Sequence, residues 1–233
     1  VLMVTFGMND SGYYEYNGDN AKEFGEQKYQ ESIKNFQQME KRFKELPHTR
    51  IVMTGTSPYD ETAQIKDNTV FKKKNETIKR IIEYQRESAA RNGWEFTDWN
   101  APMVAINQEL QQKDPSFTLC GNDRIHPDND GHMVMAYLFL KAQGFAGKDV
   151  ANMEINANKK QAVKAEGCTI SNIKKIGKDI SFDYLAEALP YPLDTIARGW
   201  GSKKSQAEVI KEVPFMEEMN TELLKVTGLK GQY

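Results

Sequence analysis

The chain lacks a charge excess of either sign. Its 31 Lys and Arg face 33 Asp and Glu, a formal net charge of −2, so it has no basic footprint for nucleic acid or an anionic membrane. It also lacks any apolar run approaching the ~20 residues of a membrane-spanning helix. Cysteine is scarce. Cys120 and Cys168 fit neither a zinc spacing nor a disulfide-dense scaffold, and both a paired and a free state remain open. Of three histidines, His132 follows His126 by six residues rather than the four of a zinc-binding pair, and His48 has no acidic neighbour at ligand spacing. There is no internal repeat and no low-complexity tract. What is present is a 233-residue chain with 39% hydrophobic and 27% charged residues, enough for one large domain or a medium one with a small companion.

Both ends read as cut. Val1-Leu2-Met3-Val4-Thr5-Phe6 has the pattern of a buried strand, with no initiator methionine, leader or polar approach before it. An N-terminal truncation is expected, with the missing segment of the same protein as a partner. Leu223 to Leu229 reads as a strand entering a turn with no later partner. A signal peptide would lie upstream, so its absence is uninformative.

Strands and helices alternate from the start. Residues 26–46 form an amphipathic helix, with Tyr29, Ile33, Phe36, Met39, Phe43 and Leu46 on one face and Pro47 as its stop. Ile51 to Thr54 is a short strand buried on both sides. A helix follows over Thr69 to Arg91, apolar at Val70, Phe71, Ile78, Ile81 and Ile82, then a strand over Trp94 to Thr97 and a helix from Pro102 to Gln112. A last helix spans Asp128 to Gln143, with Met133, Ala136, Tyr137 and Leu140 inward. Strands alternating with helices predict a parallel sheet covered on both faces, an α/β/α sandwich over residues 1–147. Residues 148–233 alternate apolar and polar between turn signals and read as a small α+β appendage of antiparallel strands, incomplete at its C-terminus.

Two segments carry chemistry, both at the strand ends where open α/β sheets bind ligands. Gly7-Met8-Asn9-Asp10 follows the first strand. Gly7 permits a sharp turn, and the Asn9 amide is suited to donate to an oxyanion. Gly, Asn and Asp also make ordinary turns. In Asp123-Arg124-Ile125-His126-Pro127 a carboxylate three residues before a histidine reaches Nδ1–H, fixes the tautomer and leaves Nε2 free to take a proton. Pro127 restricts His126 to an extended backbone. An ordinary loop histidine is the other reading.

Taken together and in this order, these segments resemble the GDSL/SGNH hydrolase superfamily. Phe6-Gly7-Met8-Asn9-Asp10 is similar to its third block and Asp123-Arg124-Ile125-His126-Pro127 to its fifth, so the resemblance covers roughly residues 1–145. It implies a flavodoxin-like three-layer α/β/α sandwich and a Ser-His-Asp triad. In that pattern Asn9 is an oxyanion donor, His126 the general base and Asp123 its orienting partner. The Gly-Asp-Ser block with the nucleophile, and the glycine that completes the oxyanion hole, have no match here and normally precede the third block.

Ser11 follows Asn9-Asp10 too closely to serve instead, and Ser57 lacks the tight glycine turn that presents a nucleophile. Ser57 and Tyr59 are expected to line the cleft. Tyr13 and Tyr14, with Tyr16 on the same loop, suit an aromatic wall for a sugar or acyl group, or a surface loop pinned by packing. Lys72-Lys73-Lys74 reads as a solvated helix face. The resemblance implies ester hydrolysis without metal or organic cofactor, on a carbohydrate acetyl ester or another small ester, in a secreted or periplasmic protein. A non-catalytic flavodoxin-like binding module is the reading from another class.

Overall fold

Three parallel strands organise the first part of the chain in the computed structural model, which describes residues 1–66, 68–201 and 203–229. They are β1 (Leu2–Phe6), β2 (Ile51–Gly55) and β3 (Glu95–Asp98), in the order β1-β2-β3. The crossovers are α1 (Ala21–Lys44) and α2 (Lys74–Asn92). Two successive right-handed crossovers stepping the same way put both helices on one face of the sheet. There α1 and α2 pack on each other, with Phe36 edge-on to Tyr84 at 6.0 Å above a core of Ile51, Met53 and Ala89. After β3 come α3 (Asn100–Gln111) and α4 (Asn129–Ala142), and Trp99 Nε1 donates to Met135 O at 3.0 Å to tie α4 to the end of β3.

Burial follows strand position. Every residue of the central β2 is buried, as a continuous apolar run between two neighbours requires. β1 departs from its expected burial. Only Val4 is buried, while Met3 and Phe6 are 46% and 42% exposed. An apolar strand at a sheet edge has a neighbour on one side only.

Two helices differ from their sequence periodicity. α2 starts at Lys74 rather than Thr69, because Lys73 takes a left-handed φ of 70° and leaves Val70 and Phe71 in the preceding loop. α4 turns Met133, Val134 and Tyr137 inward and leaves Ala136 exposed. Gly131 sets that rotation, since a Cβ there would run into the Leu119 carbonyl.

The chain divides into two units, Val1–Gln143 with Asp194–Glu212, and Gly144–Leu193 with Val213–Tyr233. Residues 194–212, which the sequence places in the appendage, thus cluster with the parallel sheet. Asn129 holds them through Asn129 N to Arg198 O at 3.4 Å and Arg198 N to Asn129 Oδ1 at 3.2 Å. The short α5 (Gln206–Val209) closes this segment with a capping box between Ser205 and Glu208.

The second unit contains β4 (Ala151–Asn156), β5 (Gln161–Glu166), β6 (Cys168–Ile176), β7 (Asp179–Ala186), α6 (Phe215–Met219) and β8 (Glu222–Thr227). β4 pairs antiparallel with β5 and parallel with β8, so the terminal strand has a partner that its sequence does not reveal. β6 and β7 form an antiparallel hairpin. Cys168 is buried against Ala151 and Met153, Cys120 is buried in the first unit, and both are free. The fold is α/β with a parallel sheet and helices, followed by mixed α and β structure.

Candidate active site

The turn after β1 is closed by its own side chains. Gly7 has φ of 134°, and a Cβ there would sit 3.2 Å from Thr56 Cγ2, so glycine suits both the backbone and the space. Asp10 Oδ2 accepts from Gly7 N at 2.8 Å, and Ser11 N donates to Gly7 O at 3.0 Å. Asn9 stands exposed on this turn. The Tyr13 hydroxyl donates to Asn9 Oδ1. With its oxygen engaged by Tyr13, the Asn9 amide keeps its NH₂ as the donating group.

Lys74 lies beneath the same loop and corrects the expected solvated face. It is fully buried, and its Nζ donates to Met8 O at 2.8 Å, Ser11 Oγ at 2.6 Å and Gly12 O at 2.6 Å. Its ammonium also sits 3.9 Å from the Tyr13 ring centroid. Burial pulls its pKa down to about 7, against the opposing fields of Asp10 and Glu61. Three adjacent lysines look alike in sequence; the left-handed turn at Lys73 selects the third.

A stability prediction follows from that burial. Lys74→Met should cost about 2 kcal/mol, because the Gly12 carbonyl and the Ser11 hydroxyl lose a buried donor. The folded amine releases its proton near pH 7, the unfolded one only near about 10.4. The unfolded chain therefore holds the extra proton between those values, and wild-type stability should rise with pH from 7 towards 10. Below pH 7 both states are charged and this contribution is flat. Melting curves of wild type minus Lys74→Met across that range check the sign; a difference independent of pH counts against it.

The second segment is built from one short turn. Arg124 has φ of 68°, and its N–H donates to Gly121 O at 3.1 Å. That turn lets Asp123 Oδ1 accept from Ile125 N at 2.9 Å and His126 N at 3.0 Å while Oδ2 meets His126 Nδ1 at 2.6 Å. Burial raises the Asp123 carboxyl, but the bonds from the His126 ring and from the backbone of His126 and Ile125 outweigh it and hold the pKa below the usual range. The Arg124 side chain is buried and donates to Asp60 O at 3.1 Å and Ala63 O at 2.7 Å; Asp60 N returns a bond to Arg124 O at 3.0 Å. The turn bearing the pair is thereby fastened to the loop after β2.

Burial, then the charges of Asp123 and Asp10, raise the Tyr13 phenol, so the field of Asp123 reaches the residue that orients Asn9. His126 is exposed. An imidazole bonded to a carboxylate through Nδ1 can take up a proton at Nε2, and a side-chain amide donor can stabilise an oxyanion.

The expected cleft residues divide. Tyr14 is exposed, and with Tyr13 it meets Phe71 edge-on at 5.6 and 6.2 Å. Tyr59 is buried, stacked on Phe71 at 5.5 Å, and its hydroxyl accepts from Phe71 N at 3.0 Å. Ser57 is buried as well. Ser11 Oγ is engaged by Met8 O and Lys74 Nζ. Among the described residues no group of three His, Cys, Asp or Glu could hold a metal ion, and no helix is long and apolar enough to cross a membrane.

The model of the GDSL-like lipase/acylhydrolase family matches residues 1–139. The chain belongs to that family. Its GDSL-like part carries Asn9, Asp123 and His126 and ends within α4. Among solved structures, this GDSL-like chain is similar to a catalytic mutant of Axe2, an acetylxylan esterase from Geobacillus stearothermophilus. Identity is 16% over 61% of this chain and 58% of that one, with a TM-score of 0.36. It is also similar to the acetyl xylan esterase AlAXEase, 18% identical over 60% of this chain and 65% of that one, with a TM-score of 0.37. The chain thus spans under two thirds of either enzyme. No curated protein matches it.

One residue that motif reading missed lies outside the GDSL-like match. The Trp200 ring stands 5.9 Å from that of His126, at 72°. Its segment gave only loop signals in sequence.

Proposed function

We propose that this chain supplies the His126–Asp123 pair and the Asn9 oxyanion donor of a serine ester hydrolase, whose nucleophilic serine lies in an upstream segment of the same protein. The substrate class is a carbohydrate acetyl ester or another small ester. The observation that carries the reading is the 2.6 Å contact of Asp123 Oδ2 with His126 Nδ1, made while Oδ1 of the same carboxylate holds the His126 backbone.

The serine Oγ attacks the ester carbonyl carbon, and its proton passes to His126 Nε2. Asp123 faces the imidazolium and Asn9 the negative oxygen. When the tetrahedral intermediate collapses, His126 gives its proton to the leaving alcohol. Water then repeats the sequence on the acyl-serine, releasing the acid and restoring the serine. Asp123 stays ionised throughout, as its lowered pKa favours.

Support for an upstream nucleophile comes from the occupied Ser11, the buried Ser57 and the position of β1, which among the described residues pairs only with β2 and exposes Met3 and Phe6, so that another strand can pair there. A fluorophosphonate probe should label one serine of the complete protein, upstream of Val1, with loss of activity on 4-nitrophenyl acetate. A label within residues 1–233 would move the nucleophile into this chain, and absence of any ester cleavage would refute the hydrolase itself.

A further inference from the structure

Trp200 is 75% exposed, yet the backbone that carries it is firmly held. Its N–H donates to Asp128 Oδ1 at 2.8 Å, two residues after His126. Arg198 is fixed by Asn129 and by Asp194, whose Oδ2 accepts from Arg198 Nε at 2.6 Å. Gly199 and Gly201 have φ of 125° and 147°, and a Cβ on either would collide with Asp128 or Asn122. The loop is therefore seated against the residues flanking the His–Asp pair. An indole left in water forfeits the free energy of burial, and a rigid loop that nonetheless holds it beside an exposed imidazole suits an apolar contact with a ligand.

The surroundings narrow the ligand. Beside His126 and Trp200 stand Asn122, Asp123 and Arg198. These three side chains are polar, and Ile196 is the exposed aliphatic residue of the same loop, tied through its carbonyl to Asn129. A pyranose has C–H faces that stack on an aromatic ring and hydroxyls that bond to such neighbours. We propose that Trp200 is a sugar platform, stacking on the pyranose ring whose ester group is presented to His126, so that the substrate is a short-chain acyl ester of a neutral sugar rather than a lipid ester. This rests on the hydrolase reading above.

The test compares peracetylated glucose with 4-nitrophenyl acetate as substrates of the complete protein. Trp200→Ala should lower the kcat/KM ratio of sugar ester to aryl ester about tenfold, mainly through KM, and Trp200→Phe should keep most of it. An equal loss on both substrates, carried by kcat, would make Trp200 a support for His126 and overturn the platform; so would an unchanged ratio. A second readout needs no turnover. Trp99 is buried and Trp94 packs on Phe43 at 5.8 Å, which leaves Trp200 as the exposed emitter among the three. Titration with xylotetraose or cellotetraose should change the tryptophan emission of wild type and not of Trp200→Phe. No response to either sugar, or an indole shielded from acrylamide in the unliganded complete protein, overturns the proposal. A response in a protein that cleaves no ester would keep the platform and refute the hydrolase.

Discussion

In the complete protein, His126→Ala is expected to lower kcat on an acetyl ester by about 10⁴-fold or more, with little change in melting temperature. The side chain is exposed, and its contacts are with Asp123 and Trp200, so its removal leaves no cavity in the core. Asp123→Asn is the more searching variant. The asparagine oxygen can still accept from the backbone of Ile125 and His126, so the turn should survive. Its NH₂, however, then faces His126 Nδ1 and turns that nitrogen into an acceptor. The ring proton moves to Nε2, the atom that must receive the proton of the serine. A loss of about 10⁴-fold with a preserved fold is expected, the size that a wrong tautomer produces in serine proteases. Near-wild-type turnover of His126→Ala on every ester that the parent cleaves would remove the pair from the mechanism.

What the sequence discloses here is what depends on near neighbours in the chain. The Asp123–His126 contact spans three residues, and one turn at Arg124 makes it, so the motif and its geometry coincide. The central strand Ile51–Gly55 and the buried face of α1 at Ile33 and Phe36 follow from apolar periodicity alone. Lys74 was hidden because its burial depends on a loop 62 to 66 residues away in the chain. Trp200 was hidden for the same kind of reason. It reaches His126 through Asp128, 72 residues earlier, while the strands on either side of its segment belong to the second unit. Tyr59 follows a strand end, where cleft residues are common, but Phe71 and Asn75 draw it into the core. The motif gives no sign that Arg124 is buried, and three oxygen acceptors from the loop after β2 make that burial tolerable.

Asn9→Ala and Asn9→Asp in the complete protein should each lower kcat by about 10²–10³-fold, roughly 3–4 kcal/mol of transition-state stabilisation, with a much smaller effect on KM. A donor that meets charge only as it develops acts on the transition state rather than on bound substrate. Asn9 is exposed, and the turn around it is closed by the Asp10 carboxylate and the Lys74 ammonium. Neither bond passes through the Asn9 side chain, so both variants should keep the melting temperature nearly unchanged. Aspartate separates the two readings of the Gly7–Asp10 segment. As a turn former it nearly matches asparagine, and it can still accept from the Tyr13 hydroxyl. As an oxyanion donor it fails twice, since it has no N–H and brings a negative charge to where another must form. Asp should therefore be at least as harmful as Ala. Tyr13→Phe should fall between these variants and wild type, because it keeps the ring over Lys74 and removes the hydroxyl that orients the amide. Equal kcat values for Asn9→Asp and wild type would leave Asn9 a turn residue and end its assignment to the oxyanion.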